Sequence, residues 1–111
     1  MRLVYVAHPF GGKKKNIKDA QEVVRQLVRQ KHGYVFLSPL QALGFLNEDI
    51  SYEESMEMCL QLLKRCDELW LCNGWEKSKG CNMEWAAAKA LGIPIYKVDT
   101  QLEKNLLGET K

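Results

Sequence analysis

Apolar positions along the chain fall into short runs and helical stripes that alternate from one end to the other. The run Leu3-Val4-Tyr5-Val6-Ala7 has the unbroken apolar character of a parallel strand buried on both faces. A polar, glycine-bearing loop follows, from His8 to Lys15. Ile17, Ala20, Val24, Leu27 and Val28 then recur at helical spacing and predict a helix from Asn16 to Lys31, with Asn16 as its N-cap. Gly33 breaks that helix, Tyr34 to Leu37 reads as a second strand, and Ser38-Pro39 ends it. Residues 40–51 are mixed and predict a loop with a short helical turn. Ser51 and Glu54 have the spacing of a capping box for a helix that reaches Arg65, with the stripe Met56, Cys59, Leu60, Leu63 and Cys66. Leu69 to Cys72 is a third strand, and Asn73 to Lys79 a loop. Gly80 to Leu91 is a third helix closed by Gly92, and Ile93 to Val98 a fourth strand. The tail from Asp99 is polar, with one weak helical stretch.

Strand and helix in strict alternation imply an α/β fold, with a parallel sheet and right-handed crossovers. A sheet of four or five strands in the order 2-1-3-4, helices on both faces, makes strands 1 and 3 neighbours whose following helices leave in opposite directions. Ligands bind at such a switch point, beyond the carboxyl ends of the strands. The two loops that line it are His8 to Lys15 and Asn73 to Lys79. The 111 residues suit a single domain, with a core over residues 1–98 and a tail over 99–111.

Composition narrows the classes. The chain is 46% hydrophobic and 27% charged, which excludes a disordered segment. A net charge of +2 does not point to a nucleic acid polymer. No run approaches the roughly 20 apolar residues of a membrane span, and a cytoplasmic protein is expected. Cys59, Cys66, Cys72 and Cys81 form no CxxC pair, so they read as small core residues; no metal and no cofactor is expected.

Candidate chemistry lies on the two loops. Ser78 and Gly80 open the third helix, where free backbone N–H groups favour an anion such as phosphate; Ser78 also reads as a plain N-cap. Glu84 lies one turn into that helix, on the face of Gly80, with Met83, Trp85, Ala86, Ala87 and Ala88 around it. It reads either as a reactive carboxylate aimed at the crevice or as a helix-start glutamate favoured by the macrodipole. In the first loop, Gly11-Gly12 lets the backbone curl around an anion, and Lys13 to Lys15 either attract one or form a solvated turn. His8 is a candidate proton donor or hydrogen-bond partner, or a structural residue. Tyr5 is either a buried aromatic or a phenol that orients Glu84. Trp75 can stack on a base. The loops match neither a dinucleotide fingerprint nor a Walker loop.

Tyr5-Val6-Ala7-His8-Pro9-Phe10, Asn16, Ala20, the segment Cys66 to Trp70, Gly74 to Gly80 and Glu84 to Pro94 together form a recognisable series. The chain resembles the nucleoside 2-deoxyribosyltransferase-like superfamily, and within it the small DUF4406-type branch. The resemblance implies a Rossmann- or flavodoxin-like three-layer sandwich and a nucleoside or nucleoside 5′-monophosphate as the small-molecule partner. It also implies cleavage or transfer at the N-glycosidic bond, with Glu84 as nucleophile, Tyr5 in contact with it, and a homodimer or higher oligomer. Substrate contacts are expected from His8, Pro9, Phe10, Gly11, Gly12, Asn16, Trp75, Ser78 and Gly80. In the characterised enzymes an aspartate about two helical turns before the position of Asp67 serves the base. This sequence has Met58-Cys59 there, and His8, Asp49, Glu57 or Glu76 would have to replace it. Asp67 itself reads as structural. The alternative is a nucleotide-binding or sensor domain without catalysis; a third reading is another transformation of a modified nucleotide.

Overall fold

A computed structural model describes residues 1–98 and the strand Leu107–Glu109. The chain runs β1 (Arg2–Ala7), α1 (Lys14–Gln30), β2 (Tyr34–Leu37), α2 (Pro39–Leu43), α3 (Tyr52–Lys64), β3 (Glu68–Leu71), α4 (Lys79–Leu91), β4 (Ile95–Val98) and β5 (Leu107–Glu109). Short 3-10 turns at Gly44–Leu46 and Trp75–Lys77 precede α3 and α4 respectively. The sheet order is β2-β1-β3-β4-β5. The first four strands are parallel, in the expected order 2-1-3-4, and β5 closes the edge antiparallel to β4. The weak helix expected in the tail falls on residues 99–111; 107–109 are a strand there, and the rest lie outside the described residues.

Alternation along β1 divides the core. Val4 and Val6 face α1, with Leu27, Trp70, Cys72 and Val98. Tyr5 and Ala7 face α3 and α4, with Leu63, Leu69, Leu71, Cys81 and Ala88. Helices therefore leave β1 and β3 on opposite faces, and the switch point lies between those two strands. Each fully buried aliphatic side chain contributes about 1.5–3 kcal/mol, so these two layers supply most of the driving force for folding. All four cysteines are free and buried, as small core residues should be.

Two boundaries differ from expectation for identifiable reasons. Lys13, not Asn16, is the N-cap of α1, and it makes no side-chain cap. The Asn16 amide instead donates to the Phe10 carbonyl at 2.7 Å, tying the first loop to the helix. β4 begins at Ile95 rather than Ile93, because the Ile93 N–H bonds back to Ala88 at 2.9 Å and completes the α4 cap around left-handed Gly92. Pro94 has no N–H to give the ladder. α3 begins as expected, with both halves of the Ser51–Glu54 capping box formed.

Asp67 and Glu68 hold the opposite end of the sheet. The Asp67 carboxylate accepts the Leu3 N–H at 2.7 Å, and the Asp67 N–H reaches the Leu3 carbonyl at 2.7 Å. Asp67 is structural, as expected.

Candidate active site

Glu84 lies on the buried stripe of α4, with Cys81 one turn before it and Ala88 one turn after. This stripe packs on the face of the sheet that carries Tyr5. The Tyr5 phenol donates to Glu84 Oε2, both groups being buried. Burial pushes the Glu84 carboxyl up to about 7, although the Tyr5 hydrogen bond pulls it back. The Tyr5 phenol is pushed well above its ordinary value by burial and then by the neighbouring Glu84 charge. The phenol therefore stays a donor, and Glu84 is poised near neutrality between acid and carboxylate.

A cavity of about 330 Å³ opens onto this pair. The first loop contributes His8, Phe10, Gly11 and Gly12, and α4 contributes Ser78, Gly80, Cys81 and Glu84. A third wall was not expected from the sequence. It comes from α2, the 3-10 turn and the start of α3, and includes Leu40, Leu43, Asn47, Ile50, Ser51, Tyr52, Ser55, Met56 and Cys59. One signal for it was present: Ser51, Ser55 and Cys59 recur at intervals of four, a small polar stripe on an otherwise apolar face. Burial raises the Cys59 thiol, while the adjoining Tyr5 and Ser55 hydroxyls lower it. Cys59 thus stands directly beside the Tyr5–Glu84 pair.

A shallower groove of about 290 Å³ adjoins the cavity. Pro9, Phe10, Gly11, Lys13 and Asn16 line it from one side; Gly74, Lys77, Ser78, Lys79 and Gly80 line it from the other. Ser78 caps α4 by accepting the Cys81 N–H at 3.2 Å. The Asn82 amide fastens the preceding loop, donating to the carbonyls of Ser78, Glu76 and Trp75 at 2.8, 3.0 and 3.3 Å. Sequence reasoning passed over Asn82. Lys79 holds its ammonium over the Tyr52 ring, 5.1 Å from the centroid, at the junction of groove and cavity. Gly11 and Gly12 have φ of +59° and +74°, a left-handed turn that β-carbon-bearing residues resist.

The expected residues are therefore mostly brought together. His8, Phe10, Gly11, Gly12, Ser78, Gly80 and Glu84 line the cavity, and Pro9 and Asn16 line the groove. Tyr5 lies beneath, touching Glu84. Trp75 lines neither space: it stacks on Trp85 with centroids 6.2 Å apart, and Lys89 covers the Trp85 ring. A role in stacking on a base does not fit that position. Its indole N–H is buried without a partner among the described residues. Asp49, Glu57 and Glu76 are exposed and line neither space, so of the four suggested replacements only His8 reaches the cavity. Among the described residues no group of three His, Cys, Asp or Glu side chains is placed to hold a metal ion.

Fold and site define an α/β protein with a crevice at the switch point of its sheet. The domain of unknown function DUF4406 matches residues 2–97, and the chain belongs to that family. No curated protein matches the sequence. Among solved structures, the 2-deoxyribosyltransferase of Bacillus psychrosaccharolyticus is similar at 24% identity and a TM-score of 0.58, over 86% of this chain and 70% of that one. The 2-deoxyribosyltransferase of Leishmania mexicana is similar at 22% identity and a TM-score of 0.62, over 90% of this chain and 67% of that one. At these identities the likeness is one of fold. Among the described residues, no helix is long and apolar enough to cross a membrane.

Proposed function

We propose that this protein cleaves or transfers at the N-glycosidic bond of a nucleoside or nucleoside 5′-monophosphate, with Glu84 as the nucleophile. The observation that carries the reading is the buried Tyr5–Glu84 pair at the floor of the cavity. A carboxylate there attacks the anomeric carbon through an oxocarbenium-like transition state, as in retaining glycosidases, and Tyr5 fixes the attacking group. Water or a second base then takes the sugar. The groove beside the cavity supports a phosphate on that sugar, since Lys13, Lys77 and Lys79 surround the start of α4. A homodimer or higher oligomer belongs to the same reading. Light scattering that finds a monomer at micromolar concentration would count against it.

The test is a product screen over nucleosides and their 5′-monophosphates, in ribo and 2′-deoxy form, with Glu84→Gln as the blank. Release of free base by the wild type and not by the variant is the expected result. No release across the whole panel counts against the enzymatic reading. Cys59, where a carboxyl group would serve the base, favours the second reading, a nucleotide-binding domain without turnover. Calorimetry would then record binding with no product, and Gly80→Val should weaken it, because a β-carbon there already meets Met56 Sδ and Tyr52 Oη at 3.5 Å.

A further inference from the structure

The cavity wall is poor in groups able to protonate a leaving base. Among the described residues that line it, the titratable side chains are His8, Tyr52, Cys59, Cys81 and Glu84. Glu84 is the only carboxyl group of these, and it is committed to the sugar. His8 points Nδ1 at the Pro9 carbonyl, 2.8 Å away. A carbonyl only accepts, so Nδ1 carries the hydrogen, and in the neutral ring Nε2 is then an acceptor with no proton to give. The phenol of Tyr52 and the thiols of Cys59 and Cys81 are all raised by burial, Cys81 to about 12, which makes them hydrogen-bond donors and poor acids. Around them stand Ile50, Met56 and Leu43, apolar surface on which a flat ring can lie.

A neutral base that leaves without a proton departs as an anion, a poor leaving group in an apolar cavity. A base joined through a positively charged ring nitrogen avoids this, because it departs neutral. We propose that the substrate is a nucleotide whose base is attached through a cationic ring nitrogen, a pyridinium or an N-alkylated purine, so that the bond breaks with no proton delivered to the base. This rests on Glu84 acting as the glycosyl nucleophile. Glu84 Oε forms a bond to C1′ as the C1′–N bond breaks, and the bonding pair stays on the ring nitrogen and cancels its charge. Water then cleaves the glycosyl ester, returning Glu84 as a carboxylate, leaving a hydroxyl on C1′ and releasing one proton to solvent. The positive ring also favours the ionised, attacking form of Glu84 in a site with no other fixed cation among the residues lining the cavity.

The experiment compares matched substrates on the full chain: guanosine 5′-monophosphate against its N7-methyl derivative, and uridine 5′-monophosphate against nicotinamide mononucleotide. Free base is followed by chromatography, and the Glu84→Gln blank is subtracted for spontaneous loss. The expected result is a kcat/KM at least a hundredfold higher for the cationic member of one or both pairs. Neutral nucleotides cleaved as fast as their cationic partners would overturn the leaving-group inference and leave the glycosidic reading intact. No enzyme-dependent cleavage of any of the four would overturn the leaving-group inference, and only the wider ribo and 2′-deoxy panel would remove the glycosidic reading with it.

Discussion

Glu68 and Glu84 are almost equally sealed from solvent, at 7% and 6% exposure, and their surroundings differ in every other respect. Glu68 opens β3 at the amino end of the sheet. It accepts the Arg2 Nε–H at 2.5 Å and the Trp70 indole N–H at 2.8 Å, one on each oxygen. A cation and a buried donor thus meet its charge, and the result is a clamp between β1 and β3 that also seats Trp70 in the core. Glu84 stands toward the carboxyl end, with no cation against it among the described residues. The Tyr5 phenol is its one hydrogen-bonding side chain among the described residues, and its carboxyl borders the cavity. Burial without a counter-charge keeps a carboxyl group reactive near neutral pH; burial with one makes it structural.

The two glutamates should separate activity from stability. Glu84→Gln is expected to lower turnover roughly a thousandfold or more, with a urea midpoint equal to or above that of the wild type. A large loss of stability in that variant would instead make Glu84 a structural residue like Glu68. The next effect is on pH. The unfolded chain releases the Glu84 proton near 4.5, whereas the folded chain keeps it to about 7. Between those values the folded state binds the extra proton. Its contribution to stability is therefore full below about pH 4.5 and lost as pH rises through 7, on the order of 3 kcal/mol across the window. Urea titrations at several pH values should show that decline in the wild type and its absence in Glu84→Gln.

Glu68→Ala should lower stability by about 1–3 kcal/mol, because the Trp70 N–H is left buried and unpaired, with turnover per folded molecule unchanged. A loss of turnover greater than the loss of folded protein would break the division between the two ends of the sheet. Tyr5→Phe carries the smallest effect. It removes the hydrogen bond that lowers the Glu84 pKa, so the acid limb of the pH–rate profile should move above its wild-type midpoint near 7. Turnover at pH 6 should fall by roughly tenfold, and less at pH 8. An unmoved limb would mean that another group governs the profile.

Local rules made much of the fold legible. The capping box at Ser51, the Ser78 cap and Gly92 are short-range signals, and each sits where its spacing placed it. The unbroken apolar run of β1 marked a strand buried on both faces, and packing set Tyr5 on one face and Val4 and Val6 on the other. Asn16 misled because the same side chain that can cap a helix can also hold a loop, and the positions of Phe10 and Lys13 decided between the two. The third wall of the cavity was hidden because its polar and apolar members are scattered over residues 40–59, with no period linking Asn47 or Ile50 to the helix that follows.

By itself the sequence determined the alternation of strands and helices, the switch point between β1 and β3, and a carboxylate one turn into the helix beside it. These follow from periodicity and backbone chemistry, which act over a few residues. Only the tertiary structure decided that Tyr5 meets Glu84 across 79 positions of chain, that Cys59 stands beside them, and that Asp49, Glu57 and Glu76 stay outside. It also decided that Trp75 lies against Trp85 rather than over the ligand space. The reason is physical: desolvation and partner geometry belong to surfaces brought together by packing, and no local pattern records which distant side chain will close over a charge.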